Sequence, residues 1–242
     1  MTTGTAIVTG AGKRVGLAIA NALLADGWTV VAHVHHEADE VPEGTQKVVA
    51  DLTDAGCAKT IFAAARDLPP VRLLVNNAAR FKRDEFGHFE PGEFDAHMAV
   101  NVGAAALLIE RLAANERAAD ALVVNLLDSK LSAPNPDFLS YTLSKYALAG
   151  LTELAARALA ERRIRVNGIA PAVMLRSNGQ SEKNFKIMHA NNPLGRGVEP
   201  NDVVAALRYL ISATAVTGQI ITIDAGQRFY RLERDVQFLE GR

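Results

Sequence analysis

Short unbroken apolar runs alternate along this chain with longer stretches whose apolar residues recur at helical spacing. Residues 5–8, 29–34, 47–50, 71–75, 121–127, 164–170 and 219–224 read as buried strands. Between them, 15–25, the stretch ending near 66, 92–114, a long run from about 140, and 201–210 carry the period of amphipathic helices. Strands apolar on both faces and separated by helices pair in parallel, because a parallel crossover needs an intervening element. The pattern predicts an α/β fold of about seven strands, a Rossmann-type doubly wound parallel sheet with helices on both faces. After Pro171 the pattern lapses into a loop to about Pro200, broken by a helical stretch at 182–189.

Composition adds exclusions. With 242 residues, 49% of them hydrophobic, the chain suffices for one core, and 1–242 reads as a single domain. Lys plus Arg total 26 against 27 acidic residues, a net charge of −1 that offers nucleic acid or an anionic membrane no general attraction. Cys57 is the one cysteine, which excludes an internal disulfide framework and a cysteine zinc cluster. His33, His35 and His36 lie together, but no further ligand cluster completes a metal site. The N-terminus passes at once into the first strand and no run approaches transmembrane length, so the expectation is a cytoplasmic protein whose partner is a small molecule.

Candidate chemistry sits at strand ends. The turn Thr9-Gly10-Ala11-Gly12-Lys13-Arg14-Val15-Gly16 joins the first strand to the first helix. Glycines there admit close backbone approach, and the helix N-terminus suits a phosphate or pyrophosphate. The second strand ends in His35-His36 where NAD-binding folds place a carboxylate; with Lys13 and Arg14 nearby this favours NADPH without excluding NADH. Asp51-Leu52 closes the third strand, Asp51 either meeting adenine or capping the next helix. Asn76-Asn77-Ala78-Ala79 closes the fourth, the end at which open α/β sheets place a ligand crevice. The loop 80–91 is polar and mobile-looking apart from Phe81, Phe86 and Phe89. Asn101, inside an apolar helix, either bonds neighbouring backbone or holds a water. Tyr141 and Lys145, four residues apart, share a helix face, where an ammonium lowers a phenol's pKa.

In this order the motifs resemble the short-chain dehydrogenase/reductase family over nearly the whole chain. They are Thr9-Gly10 to Gly16, Asp51, Asn76-Asn77-Ala78, Asn101, Tyr141 with Lys145, Val166-Asn167-Gly168-Ile169-Ala170-Pro171, and Thr217-Gly218-Gln219 with Asp224-Ala225-Gly226. The resemblance implies that Tyr141 donates a proton, that Lys145 holds the nicotinamide ribose and lowers the tyrosine's pKa, and that Asn101 anchors a water. It implies cofactor contacts from Gly10, Gly12, Lys13, Arg14, Val15, Gly16, His35, His36, Asp51, Leu52, Asn77, Ala78, Pro171 and Val173, with Val173, Met174 and Leu175 lining the substrate entrance. It also implies a homo-oligomer, a tetramer favoured, in which the tail 227–242 packs on or reaches toward a neighbouring subunit.

Three departures narrow the reading. The family's usual serine, thirteen residues before the tyrosine, is Asp128; Arg14 replaces the middle glycine of the turn; Phe81 follows the fourth strand. Together these resemble the pteridine reductases, including the bacterial dihydromonapterin reductases. In that subgroup Phe81 stacks on the pterin, Asp128 works with Tyr141 in proton delivery to ring nitrogen, and Arg14 meets cofactor phosphate and the pterin edge. The subgroup's arginine after the second strand is His36 here, and its serine is Glu37. Other readings stay open: a generic carbonyl or alcohol oxidoreductase with Ser129 as donor, or a non-catalytic dinucleotide-binding regulator.

Overall fold

The computed structural model describes residues 3–115, 117–118, 120–176, 179–230 and 232–239. In chain order its elements are β1 (Thr5–Val8), α1 (Arg14–Ala25), β2 (Thr29–Val34), β3 (Gln46–Val49), α2 (Cys57–Ala63), β4 (Val71–Asn76), α3 (Pro91–Met98), α4 (Ala104–Ala113), β5 (Leu122–Leu126), α5 (Leu139–Leu159), β6 (Arg165–Pro171), α6 (Glu182–Ala190), α7 (Pro200–Ser212) and β7 (Ile220–Ile223). All strand pairs are parallel, in the order β3-β2-β1-β4-β5-β6-β7. The order reverses between β1 and β4, so the loops leaving those strands part and open a crevice at the sheet's C-terminal edge.

Alternation along each strand feeds two cores. Ile7 and Leu74 point to the layer of α2, α4 and α5, among Ile61, Leu108 and Ala155. Ala6, Val8, Leu73 and Val75 point to the layer of α1 and α7, among Ile19, Val203 and Leu207. Both faces being covered explains why the strands read as continuous apolar runs.

The predicted elements appear with shifts at their ends. α2 stops at Ala63, because Ala65 and Arg66 turn back onto Phe62 and Ala63 through short-range backbone bonds. The helix expected over 92–114 is two helices joined by a π turn at Ala99–Gly103, with Asn101 in its middle. The expectation that no run approaches transmembrane length is corrected here: Pro91–Ala113 is 23 residues and apolar enough by length and composition. Ala104, Leu108, Ile109 and Leu112 spend that apolarity on the α2–α5 core.

Candidate active site

The glycine turn is held by its neighbours in the sheet. A Cβ on Gly16 would collide with the carbonyl of Gly10, and one on Gly12 would lie 2.6 Å from the carbonyl of Glu40. Thr9 Oγ1 accepts from the amides of Asn77 (2.9 Å) and Ala78 (3.0 Å), while the Asn77 side chain donates to the carbonyls of Thr9 (2.8 Å) and Gly10 (3.2 Å). Asn77 thus spends its amide donors on locking the turn. Buried His33 does similar work: Nδ1 accepts from the Gly10 amide at 3.2 Å and Nε2 donates to Ala50 O at 3.0 Å. Burial depresses its pKa, which suits a neutral ring with both nitrogens engaged.

The first turn of α1 carries no acidic residue and Lys13 provides no side-chain cap, so its positive end is left for an anion. That donor set fits a nicotinamide dinucleotide. Arg14 sits at φ 55°, the left-handed conformation that glycine takes freely, and its guanidinium donates to the carbonyls of Leu175 (3.3 Å) and Arg176 (3.1 Å). It ties the glycine turn to the loop after β6. Val173, Met174 and Leu175, expected at the substrate entrance, are all half-buried beside Pro171 at the end of β6, Met174 packing in part against the α1–α7 core.

At the end of β2 the exposed rings of His35 and His36 lie 4.0 Å apart. His35 Nε2 is 3.8 Å from Asp51 Oδ2, and Glu37 is paired with Lys47 at 3.6 Å. Asp51 does not cap α2, which begins at Cys57; it accepts from the amide and hydroxyl of Thr53, both at 2.8 Å, in a local turn. Those bonds hold its carboxyl below the usual range. The next residue, Leu52, is buried in the α2–α5 core, and half-buried Ala78 packs against the same core.

The chemical centre lies where β5 meets α5. Tyr141 Oη donates to Asp128 Oδ2 at 2.8 Å, and Asp128 Oδ1 accepts from the Lys130 amide at 2.9 Å. Asp128, not Ser129, therefore faces the tyrosine; Ser129 opens the short helical turn Ser129–Leu131. Lys145 Nζ donates to Leu126 O at 2.6 Å and lies 5.5 Å from the centre of the Tyr141 ring. Burial raises the pKa of Asp128, and burial plus the Asp128 carboxylate raises that of Tyr141 well above 10.0. The expected lowering of the tyrosine's pKa is thus corrected: loss of water, and then the Asp128 carboxylate in direct contact, push it up. Burial lowers Lys145 itself to about 8.

Asn101 bonds backbone and catalytic helix together. Its Oδ1 accepts from the Arg80 amide (2.7 Å), and its Nδ2 donates to Arg80 O (3.0 Å) and to Ser144 Oγ (2.8 Å). Phe81, next in the chain, stacks on Phe138 at 4.3 Å and meets Tyr141 edge-on at 4.7 Å, with 45% of its surface exposed. The loop around it is anchored, against expectation: Arg80 pairs with Glu93 at 2.6 Å, and Asp84 caps α5 by accepting from the Ser140 amide (2.9 Å) and hydroxyl.

Sequence reasoning named Thr9 and His33 without their role in locking the glycine turn, and missed Asp84 and Phe138. Only Thr9, between strand and glycine, carried a local signal; the others act through partners distant in sequence.

Residues 10–228 match the family model described as enoyl-(acyl carrier protein) reductase. Bovine (Bos taurus) L-xylulose reductase is 32% identical over 91% of this chain and 95% of its own length. Pteridine reductase 1 of Leishmania tarentolae is 29% identical over 93% and 96%. Among solved structures, the FolM alternative dihydrofolate reductase 1 of Brucella suis, in complex with NADP, superposes with a TM-score of 0.85 at 36% identity, covering 95% of this chain and 96% of that one. The chain belongs to the short-chain dehydrogenase/reductase family and is an NAD(P)-dependent oxidoreductase.

Proposed function

We propose that this protein is an NADPH-dependent reductase of a pterin or dihydropterin. One observation carries the reading: a half-buried carboxylate, Asp128, bonded directly to Tyr141 at 2.8 Å, with Phe81, 45% exposed, edge-on to the same tyrosine. Reducing a ring C=N bond places a hydride on carbon and a proton on nitrogen, and the bound cofactor supplies the hydride. Tyr141 and Asp128 supply the proton; loss of water raises both pKa values, which favours the protonated forms of the pair as donors. Phe81 offers a flat bicycle one aromatic face. Lys145, Asn101 and Arg14 hold the floor, the catalytic helix and the loop after β6 in register.

NADPH rather than NADH follows from the end of β2, where His35 and His36 replace a carboxylate and Lys47 draws Glu37 aside. The NADP-bound Brucella relative supports this. The likeness to pteridine reductase 1 and to FolM supports a pterin, and the likeness to L-xylulose reductase supports the competing carbonyl reading. A cytoplasmic location, where reduced nicotinamide is supplied, and a single domain over 1–242 complete the proposal.

The test is NADPH oxidation with dihydromonapterin, dihydrobiopterin and a panel of ketones and sugars, repeated with NADH. Turnover of pterins with NADPH supports the reading, and turnover confined to ketones or sugars overturns it. Tyr141→Phe should lower kcat by about a thousandfold while NADPH binding, read by fluorescence, changes less than about twofold.

A further inference from the structure

The C-terminal segment folds back onto its own chain, not away from it. Arg234 grips Asp137, 1% exposed, with Nε 2.9 Å from Oδ2 and Nη2 2.6 Å from Oδ1, and the Asp235 amide donates to the same carboxylate at 2.7 Å. The Asp235 carboxylate pairs at 2.8 Å with Nζ of Lys130, the same residue whose amide holds Asp128. Phe238 lies nearly parallel to Phe138 at 6.0 Å, and the Arg83 guanidinium covers Phe238 at 4.3 Å.

Between Asp137 and α5 stands Phe138, at φ 57° and ψ 55°. A bulky residue pays for that left-handed conformation and keeps it only where its surroundings demand it. Here the demand comes from both sides: Asp137 is gripped by Arg234, and the Phe138 carbonyl accepts from the Thr142 amide at 2.9 Å in the first turn of the catalytic helix. Its ring lies between Phe238 and Phe81, and Phe81 touches Tyr141. Three nearly parallel rings thus lead from the tail to the open face of Phe81.

We propose that residues 234–238 form an intramolecular strap and that Phe138, pressed by it, is a positioning residue that sets how tightly a flat ring is held against Phe81. The proposal rests on the reading of Phe81 as the substrate wall. Arg234, Asp235 and Phe238 act through Phe138 and touch neither substrate nor cofactor.

Phe238→Ala and Arg234→Ala should each raise the KM for dihydrobiopterin about tenfold, with kcat and the NADPH dissociation constant within about twofold of the parent. Phe238→Tyr should restore KM, and the double variant should cost less than the product of the singles, because both loosen one strap. Unchanged KM in both variants overturns the proposal, as does a KM rise accompanied by equal loss of NADPH affinity. Failure of the pterin reading shows separately, in the parent protein, as turnover of carbonyls alone. The same KM comparison is then made on the best carbonyl, where a rise supports the strap and equality overturns it.

Discussion

Lys145 holds its ammonium where water cannot reach it, and its pKa falls from 10.5 to about 8. That lowering corresponds to about 3 kcal/mol against the folded state at neutral pH. Because the unfolded chain keeps its proton up to a higher pH, the unfolded state binds more protons between about 8 and 10.5, and this group's contribution to stability rises with pH through that window. Lys145→Met should therefore leave Tm unchanged or raised while turnover falls at least about a hundredfold, a pairing that calorimetry and NADPH oxidation read together. Asp128 has the opposite shift. Its raised pKa makes it a proton carrier that is lost as pH rises, so the rate should fall through that limb, and Asp128→Asn should flatten the limb along with a large loss of turnover. A limb that survives the substitution would assign the titration to another group.

At the scale of elements, the site is a junction of strand ends held by long-range polar bonds. The π turn at Ala99–Gly103 brings Asn101 between Arg80 and Ser144, linking the loop after β4 to α5. Asp84 caps the same helix from the same loop. Asp84→Ala removes both bonds to Ser140 and leaves a buried hydroxyl unpaired, which should cost about 1–3 kcal/mol in urea unfolding. Since Phe81 rides on that loop, the substrate KM should rise as well. The strands and helices were legible in the sequence because their period is local, whereas the π turn left no trace: Val100, Asn101 and Val102 look alike in either helix type. The loop 80–91 looked mobile because its anchors, Ser140 and His97, lie elsewhere in the chain.

At the scale of the whole molecule, two groups among the exposed apolar side chains of the described residues bear on assembly. Leu143, Tyr146 and Leu154 share one face of α5, where open space lies over Gly150, and Tyr209, Ile220 and Phe229 lie on α7, β7 and the short turn after it. We propose that the homo-oligomer implied by the family resemblance, a tetramer favoured, covers them. Light scattering at working concentration should give a multiple of the chain mass, and Leu154→Glu should reduce it; a single-chain mass for the parent removes the proposal. The tail, expected to pack on or reach toward a neighbouring subunit, bonds Asp137, Lys130 and Asn184 of its own chain over 232–239, and its contact with a neighbour stays a proposal. Arg231 and 240–242 lie outside the described residues.

The sequence by itself determined the parallel α/β sheet, the glycine turn, the Tyr141 and Lys145 spacing, and the departures at Asp128 and Phe81. Each is written in residue type and short-range period, which a chain carries before it folds. The tertiary structure alone decided that Asp128 rather than Ser129 meets Tyr141, and that burial raises the tyrosine's pKa. It alone revealed that Arg14 holds the loop after β6, and that Phe238 of the tail stacks on Phe138. These depend on desolvation and on pairs such as Asp84 with Ser140 and Asp137 with Arg234, 56 and 97 residues apart, which only the packed sheet brings within reach.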